Sequence, residues 1–148
     1  MTFDACLIDS NILLRAALRG SPDHVLVRSA LTKLISSKTA LCFTHRNIAE
    51  FWNAATRPIE MNGFGLSVAD ADREVALFEE GMRLLPDSVS VYHEWRRMVS
   101  RYEVRGVQVH DARIAAAMIV HRITHILTLN ARDFARFLEI VAVHPEEI

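Results

Sequence analysis

Residues 5–18, ACLIDSNILLRAAL, decide the fold. The apolar run over 5–8 stops at Asp9-Ser10-Asn11, and the apolar residues of ILLRAAL that follow recur at helical rather than alternating spacing. The stretch therefore reads as a buried strand that delivers an acid to a turn, with a helix starting at once behind it.

The same punctuation recurs along the chain. Ser21-Pro22 supplies an N-cap and a first-turn proline for a helix over about 23–36, with Val25, Ala30, Leu31 and Leu34 as its apolar stripe. A second short strand, 40–43, stops at Thr44, which caps a helix through HRNIAEFWNAATR until Pro58 ends it. After the loop IEMNGFG, Ser67 with Asp70 opens a helix to about residue 83, and Pro86-Asp87 breaks the chain ahead of a helix over about 91–104. Beyond Arg105-Gly106, the alanine-rich HDARIAAAMIVHR predicts another helix. A strand over 125–129, a turn and short helix over 130–137 and a last strand over 140–143 complete the pattern. Strands separated by helices imply a three-layer α/β/α sandwich around a mainly parallel sheet of four or five strands. No repeat, low-complexity tract or linker interrupts it, so one domain over 1–148 is expected.

Composition excludes several classes. With 51% apolar residues in 148, the chain can bury a core without staples. No apolar run approaches bilayer length, and the start MTFDACLID carries an acid where a signal peptide carries positive charge, so a cytoplasmic protein with no membrane partner is expected. Cys6 and Cys42 both lie in apolar strand-like segments and read as buried free thiols. A net charge of −1 gives no general attraction for nucleic acid, but the basic residues are 15 Arg to 2 Lys, a bias toward the side chain suited to bidentate phosphate contacts.

In an open parallel sheet, ligands bind beyond the carboxyl ends of the strands, and the acids of this sequence fall there. Asp9 ends the first strand, Glu50 lies in the helix after the second, Asp111 opens the helix before the third, and Asn130 with Asp133 follows it. Each has a plain structural reading: Asp9 as an N-cap, Asp111 as a first-turn acid facing the helix dipole, Asn130 and Asp133 as turn residues. Glu50, set among Ile48, Ala49, Phe51 and Trp52, is either solvent-facing or an inward carboxylate that needs a partner. Taken together they point to chemistry, because converging carboxylates repel one another unless a cation neutralises them. Hard oxygen donors suit Mg²⁺ or Mn²⁺ rather than zinc.

In LIDSN, THRNIAEFWNAATRP, VHDARIAAAM and THILTLNARDF, taken in that order over nearly the whole chain, the sequence resembles the PIN-domain ribonucleases, in particular VapC-type toxins of toxin–antitoxin pairs. The resemblance implies metal-dependent endoribonuclease activity on RNA, with Asp9, Glu50 and Asp111 matching the acidic core and Mg²⁺ or Mn²⁺ as the cofactor. In that reading Asp9, Asp111 and Glu50 are the metal ligands, Asp133 completes the catalytic set, and Asn11, Thr128 and Asn130 position substrate. One departure stands out: the family's acidic slot in this last motif holds Asn130, which leaves Asp133 as the available charge. The resemblance further implies a cognate antitoxin and a homodimer; if the chain is a toxin, the antitoxin should block the acidic pocket, and a basic side chain inserted among the carboxylates is a physically reasonable way to do it. The segment 62–106 looks like the helical insertion of one PIN subgroup. Within it, Trp95, Met98 and Tyr102 are spaced for one helical face, as core or interface, and Arg96, Arg97 and Arg101 are spaced as a solvated face or an RNA track.

Other constellations carry less. His121 and His125 have i, i+4 spacing, but a helix end near Arg122 separates them, and His110 beside Asp111 is read as a cap rather than a substrate contact. There is no glycine-rich phosphate loop, no G-x-S-x-G elbow and no cysteine nucleophile in a polar setting. A receiver-like signalling domain would need a lysine near its phosphorylated aspartate, and Lys33 and Lys38 fall on an early helix and the loop after it. Two related alternatives are a catalytically inactive PIN fold acting as a protein-interaction module and a solitary nuclease without an antitoxin.

Overall fold

The computed structural model describes residues 2–148. The opening strand and helix are present as β1 (Ala5–Ile8) and α1 (Ser10–Ala17), with Asp9 capping the helix by accepting from the Ser10 N–H. After α2 (His24–Ser36), β2 (Ala40–Thr44) runs without a loop into α3 (His45–Thr56). Thr44 Oγ1 accepts from the Asn47 N–H at 3.3 Å while Asn47 Oδ1 accepts from the Thr44 N–H at 2.8 Å, a reciprocal cap that fixes the start of α3. Arg57 leaves helical geometry at ψ 138°, as the ring of Pro58 demands.

The second half contains α4 (Val68–Gly81), β3 (Arg83–Leu85), α5 (Val89–Arg101), α6 (Val109–Val120), β4 (His125–Leu127) and β5 (Val141–Val143). Several boundaries differ from the sequence reading. The helix expected to reach residue 83 stops at Gly81, and Arg83–Leu85 forms a strand too short to establish an alternating pattern. The helix expected over 91–104 begins at Val89 because Ser88, whose Oγ accepts from the Val91 N–H, caps it, and it ends at Arg101. The strand expected over 125–129 stops at Leu127, and beyond it Thr128 and Leu129 bond to site residues.

Among the described residues the sheet has five strands in the order β3-β2-β1-β4-β5, all parallel. Successive side chains alternate between two cores. Cys6, Ile8, Leu41 and Leu127 pack with α1–α4, whereas Leu7, Cys42 and Ile126 pack with α5 and α6. Helices on both faces explain why these strands read as unbroken apolar runs. Each large aliphatic side chain so buried contributes roughly 1.5–3 kcal/mol relative to exposure.

On one face, Phe51 of α3 meets Phe78 of α4 edge-on at 5.1 Å. On the other, Met98 of α5 and Ala112, Ala115 and Ala116 of α6 are fully buried, the small side chains allowing close approach of the two helices. Trp95 Nε1 donates to the Val109 carbonyl at 2.8 Å and Tyr102 packs edge-on against Phe137, so the Trp95, Met98 and Tyr102 stripe is core within this chain. Cys6 and Cys42 are buried free thiols, and burial pushes that of Cys6 up to about 12, which leaves it unreactive. No helix among the described residues is long and apolar enough to cross a membrane.

The chain builds β1, β2 and β3 toward one edge, then returns to lay β4 on the far side of β1. That reversal opens a crevice at the carboxyl ends of β1 and β4, the place where sheets of this kind bind ligands.

Candidate active site

Asp9 leaves β1 at this crevice and is 6% exposed. Four donors surround its carboxylate. The Ser10 N–H donates to Oδ1 at 2.8 Å, with the Ser10 hydroxyl at 3.4 Å; Thr128 Oγ1 donates to Oδ2 at 2.7 Å and Asn11 Nδ2 to the same oxygen at 3.3 Å. Burial pushes the Asp9 carboxyl upward, the Thr128 and Ser10 bonds oppose that shift, and the nearby Glu50 adds to it. Thr128, fully buried at the end of β4, also accepts from Asn11 Nδ2 and from the Asn130 N–H, and Asn11 Oδ1 accepts from the Leu129 N–H. The first and fourth strands are thereby locked together at their carboxyl ends through side chains.

Glu50 comes from α3, whose buried face carries Asn47, Phe51 and Ala55. Its opposite face turns Glu50 into the crevice, where Oε2 accepts from Ser10 Oγ at 2.6 Å and Oε1 pairs with Arg46 at 2.5 Å. Glu50 is thus the inward carboxylate with partners, not the solvent-facing one. Asp111 sits in the first turn of α6 and Asp133 in the 3₁₀ turn Ala131–Phe134. Asp9, Asn11, Glu50, Asp111, Asn130 and Asp133 line one cleft of about 380 Å³, with Thr128 behind them. All seven residues singled out in the sequence therefore meet at one place.

The cleft is electrostatically strained without a cation. Asp111 is pushed up to about 6, first by burial and then by the charges of Asp133, Asp9 and Glu50, with Arg46 partly offsetting them. The donors are carboxylates and amide or hydroxyl oxygens, with no thiol or imidazole in the lining, and that chemistry fits a hard divalent ion. As the side chains stand, no three His, Cys, Asp or Glu among the described residues form a closed metal-binding group. Ser10 and Arg46 draw Glu50 aside, so a cation would have to displace that pairing to recruit it.

Four polar lining residues escaped the sequence reading: Ser10, Arg46, Asn53 and Arg57. The last three stand at −4, +3 and +7 from Glu50 on α3, so a polar helical stripe around Glu50 was the available signal. The remaining candidates lie elsewhere. Arg97 pairs with Glu94 and Glu139, Arg101 with Glu139 at 3.1 Å, and Arg96 is exposed outside the cleft, which favours the solvated-face reading. His121 faces the Pro86 carbonyl and His125 stacks on Phe3 at 4.3 Å, so the two share no metal site. Neither lysine lines the cleft, which removes the receiver-like reading.

A cluster of oxygen donors at the switch point of a parallel α/β sheet defines a cation-seeking site of the sort used on phosphate esters. A PIN domain family model matches residues 6–139, and the chain belongs to that family, whose members are nucleases. Three solved structures share the fold. The chain is similar to VapBC2 from Rickettsia felis bound to a DNA fragment from its promoter, at 12% identity, a TM-score of 0.69, and coverage of 95% of this chain and 98% of that one. It is similar to Mycobacterium tuberculosis VapC20, a sarcin–ricin loop cleaving toxin, at 15% identity, a TM-score of 0.65, and coverage of 91% and 98%. It is also similar to VapBC-1 from nontypeable Haemophilus influenzae at 14% identity, a TM-score of 0.68, and coverage of 96% and 98%. A search of curated protein sequences finds no match.

Proposed function

We propose that the chain is a Mg²⁺- or Mn²⁺-dependent endoribonuclease, one nuclease domain that acts in the cytoplasm as the toxin of a toxin–antitoxin pair. The observation that carries this reading is the convergence of Asp9, Glu50, Asp111 and Asp133 on one cleft, with Asp111 raised to about 6 partly by the other three. Asp9 and Asp111 would hold the ion, with Glu50 joining them once released from Arg46, and Asp133 at the rim orienting water. When bound, a divalent ion there supplies Lewis-acid activation of water and charge neutralisation at the phosphate.

The chain's own groups do the positioning. Thr128 and Asn11 hold Oδ2 of Asp9 while the Ser10 N–H holds Oδ1, which fixes its rotamer ahead of ligand binding. Asn130, whose N–H is tied to Thr128 Oγ1, presents a neutral amide at the rim, where an acid would add repulsion against the incoming phosphate. Arg46, once exchanged from Glu50, supplies a guanidinium for the same phosphate. Structural likeness to toxin–antitoxin complexes supports a protein antitoxin as partner. An antitoxin guanidinium entering the acid cluster would inhibit by occupying the cation's place.

The Arg46–Glu50 pair favours one competing reading, in which the chain's own guanidinium is the resident cation and the domain only binds other proteins. Incubation of the purified chain with single-stranded RNA separates the two. Cleavage with Mn²⁺ that is lost in EDTA and in Asp9→Asn supports the nuclease, and no cleavage with any divalent ion supports the interaction module.

A further inference from the structure

The acid cleft adjoins a second groove. Leu14 and Ala54 line the cleft; the next residue after Leu14, Arg15, lines a neighbouring groove of about 400 Å³ together with Leu18, Arg19, Pro22 and Phe64. The Leu18 N–H bonds to the Leu14 carbonyl and the Phe64 N–H to the Ala54 carbonyl, both at 3.0 Å, so the two depressions share their backbone frame.

Phe64 is fixed in this groove. The N–H groups of Gly63, Phe64, Gly65 and Leu66 bond to the carbonyls of Pro58, Ala54, Arg57 and Ala55 at 2.8–3.0 Å, so the segment straps back over the end of α3. Gly63 lies so close that a Cβ there would stand 2.0 Å from the Arg57 carbonyl oxygen. The Phe64 side chain on this strap is still 38% exposed. A flat aromatic surface already held in place by its backbone loses little entropy when a ligand covers it.

The groove is also cationic, with two arginines and no acid in its lining. Five arginines, Arg46, Arg73, Arg97, Arg101 and Arg113, pair with acids; Arg15 and Arg19 are among the arginines with no acidic partner among the described residues, and these two share one groove that no acid lines. Arg57, which lines the acid cleft, donates to the Asn62 carbonyl through Nη2 at 3.0 Å, but its buried Nε has no acceptor. Unpaired cations beside an exposed ring, on a chain of net charge −1, match a phosphate backbone with bases available for stacking.

We propose that this groove is a nucleotide subsite for single-stranded RNA, in which a base stacks on Phe64 and the flanking phosphates are held by Arg15 and Arg19. The proposal rests on the nuclease reading of the adjoining cleft, from which the strand would continue along α1.

The test is fluorescence anisotropy of a labelled single-stranded oligoribonucleotide of about a dozen nucleotides, titrated with the full chain in EDTA so that nothing is cut. Phe64→Ala is expected to weaken binding about 5- to 150-fold, the usual range for one stacked base, while Phe64→Tyr keeps it. Arg15→Ala combined with Arg19→Ala is expected to reduce the slope of log affinity against log salt by about 1.4. Thermal melts confirm that each variant is folded, and the exposed Arg19→Ala alone provides a variant with no packing role. RNA cleavage by the parent with Mn²⁺ is scored in parallel. If the parent cuts RNA while the variants keep its affinity and salt slope, the subsite is wrong and the nuclease reading stands. The same holds if the variants bind RNA normally but lose a protein partner. A parent that neither binds nor cuts RNA overturns both.

Discussion

Thr128 Oγ1 donates to Asp9 Oδ2 at 2.7 Å across 119 positions of sequence, joining the ends of β4 and β1 inside the fold. Both residues are buried, and the bond gives a desolvated carboxylate a partner while leaving its other oxygen to Ser10. Site and scaffold are therefore one structure at this point, because the group that holds Asp9 in place also closes the crevice between the two strands.

Thr128→Val keeps the shape and removes the donor. The loss of a hydrogen bond to a buried charged acceptor costs about 1.5–3 kcal/mol, and Thr128→Ser should recover most of it. Urea unfolding at neutral pH measures both variants. A Val variant as stable as the parent would mean that Asp9 finds another donor and that Thr128 does not hold it.

Asp111→Asn tests the repulsion within the cluster. The Asp111 carboxyl titrates at about 6 in the folded chain against an ordinary 3.8, so the folded state holds its proton more tightly than the unfolded state. The cost of its charge is fully present above about pH 6 and is relieved as pH falls from there toward 3.8, so this group makes the metal-free protein more stable as the pH drops through that window. The Asn variant should lose that part of the pH dependence and melt at or above the parent in EDTA at neutral pH. A strongly destabilised variant would make Asp111 a structural cap.

The arginines of α5 give a control. Arg97 is exposed and tied to Glu94 and Glu139, so Arg96→Ala combined with Arg97→Ala should change stability by no more than about 1 kcal/mol and leave the salt dependence of RNA binding as in the parent. A flattened salt slope would put the RNA path across this helix instead.

Gly63→Ala should damage the strap at the end of α3. A Cβ placed 2.0 Å from the Arg57 carbonyl oxygen forces the backbone apart, and overpacking of this kind costs about 1–3 kcal/mol or more. A thermal melt reads the loss, and hydrogen exchange at Phe64 and Leu66 should quicken as their bonds to Ala54 and Ala55 loosen. Unchanged exchange would show that the strap is held by other contacts.

Much of this architecture was legible because its signals are local. The Asp9 turn, the Thr44 cap and Pro58 fix three boundaries by short-range sterics and hydrogen bonding, and buried strands announce themselves as apolar runs. β3 was not legible: Arg83–Leu85 is three residues long, its first two are exposed at the sheet edge, and only pairing with β2 makes it a strand. The acids were found because strand ends and first helical turns are recognisable, whereas Arg46 and Arg57 required viewing α3 as a cylinder around Glu50. The unpaired state of Arg15 and Arg19 depends on which acids the fold leaves out of reach, and no spacing encodes that.

The end groups of the cut RNA test the central claim most directly. Metal-assisted attack by water does not use the ribose 2′-OH, so the products should carry 5′-phosphate and 3′-hydroxyl ends, formed with Mg²⁺ or Mn²⁺, absent in EDTA and scarce with Ca²⁺, whose looser coordination orients water poorly. A side-chain general acid and base would activate the 2′-OH and leave 2′,3′-cyclic phosphate. Cyclic phosphate ends, or full activity in EDTA, would contradict the account and leave the convergence of Asp9, Glu50, Asp111 and Asp133 without a chemical purpose.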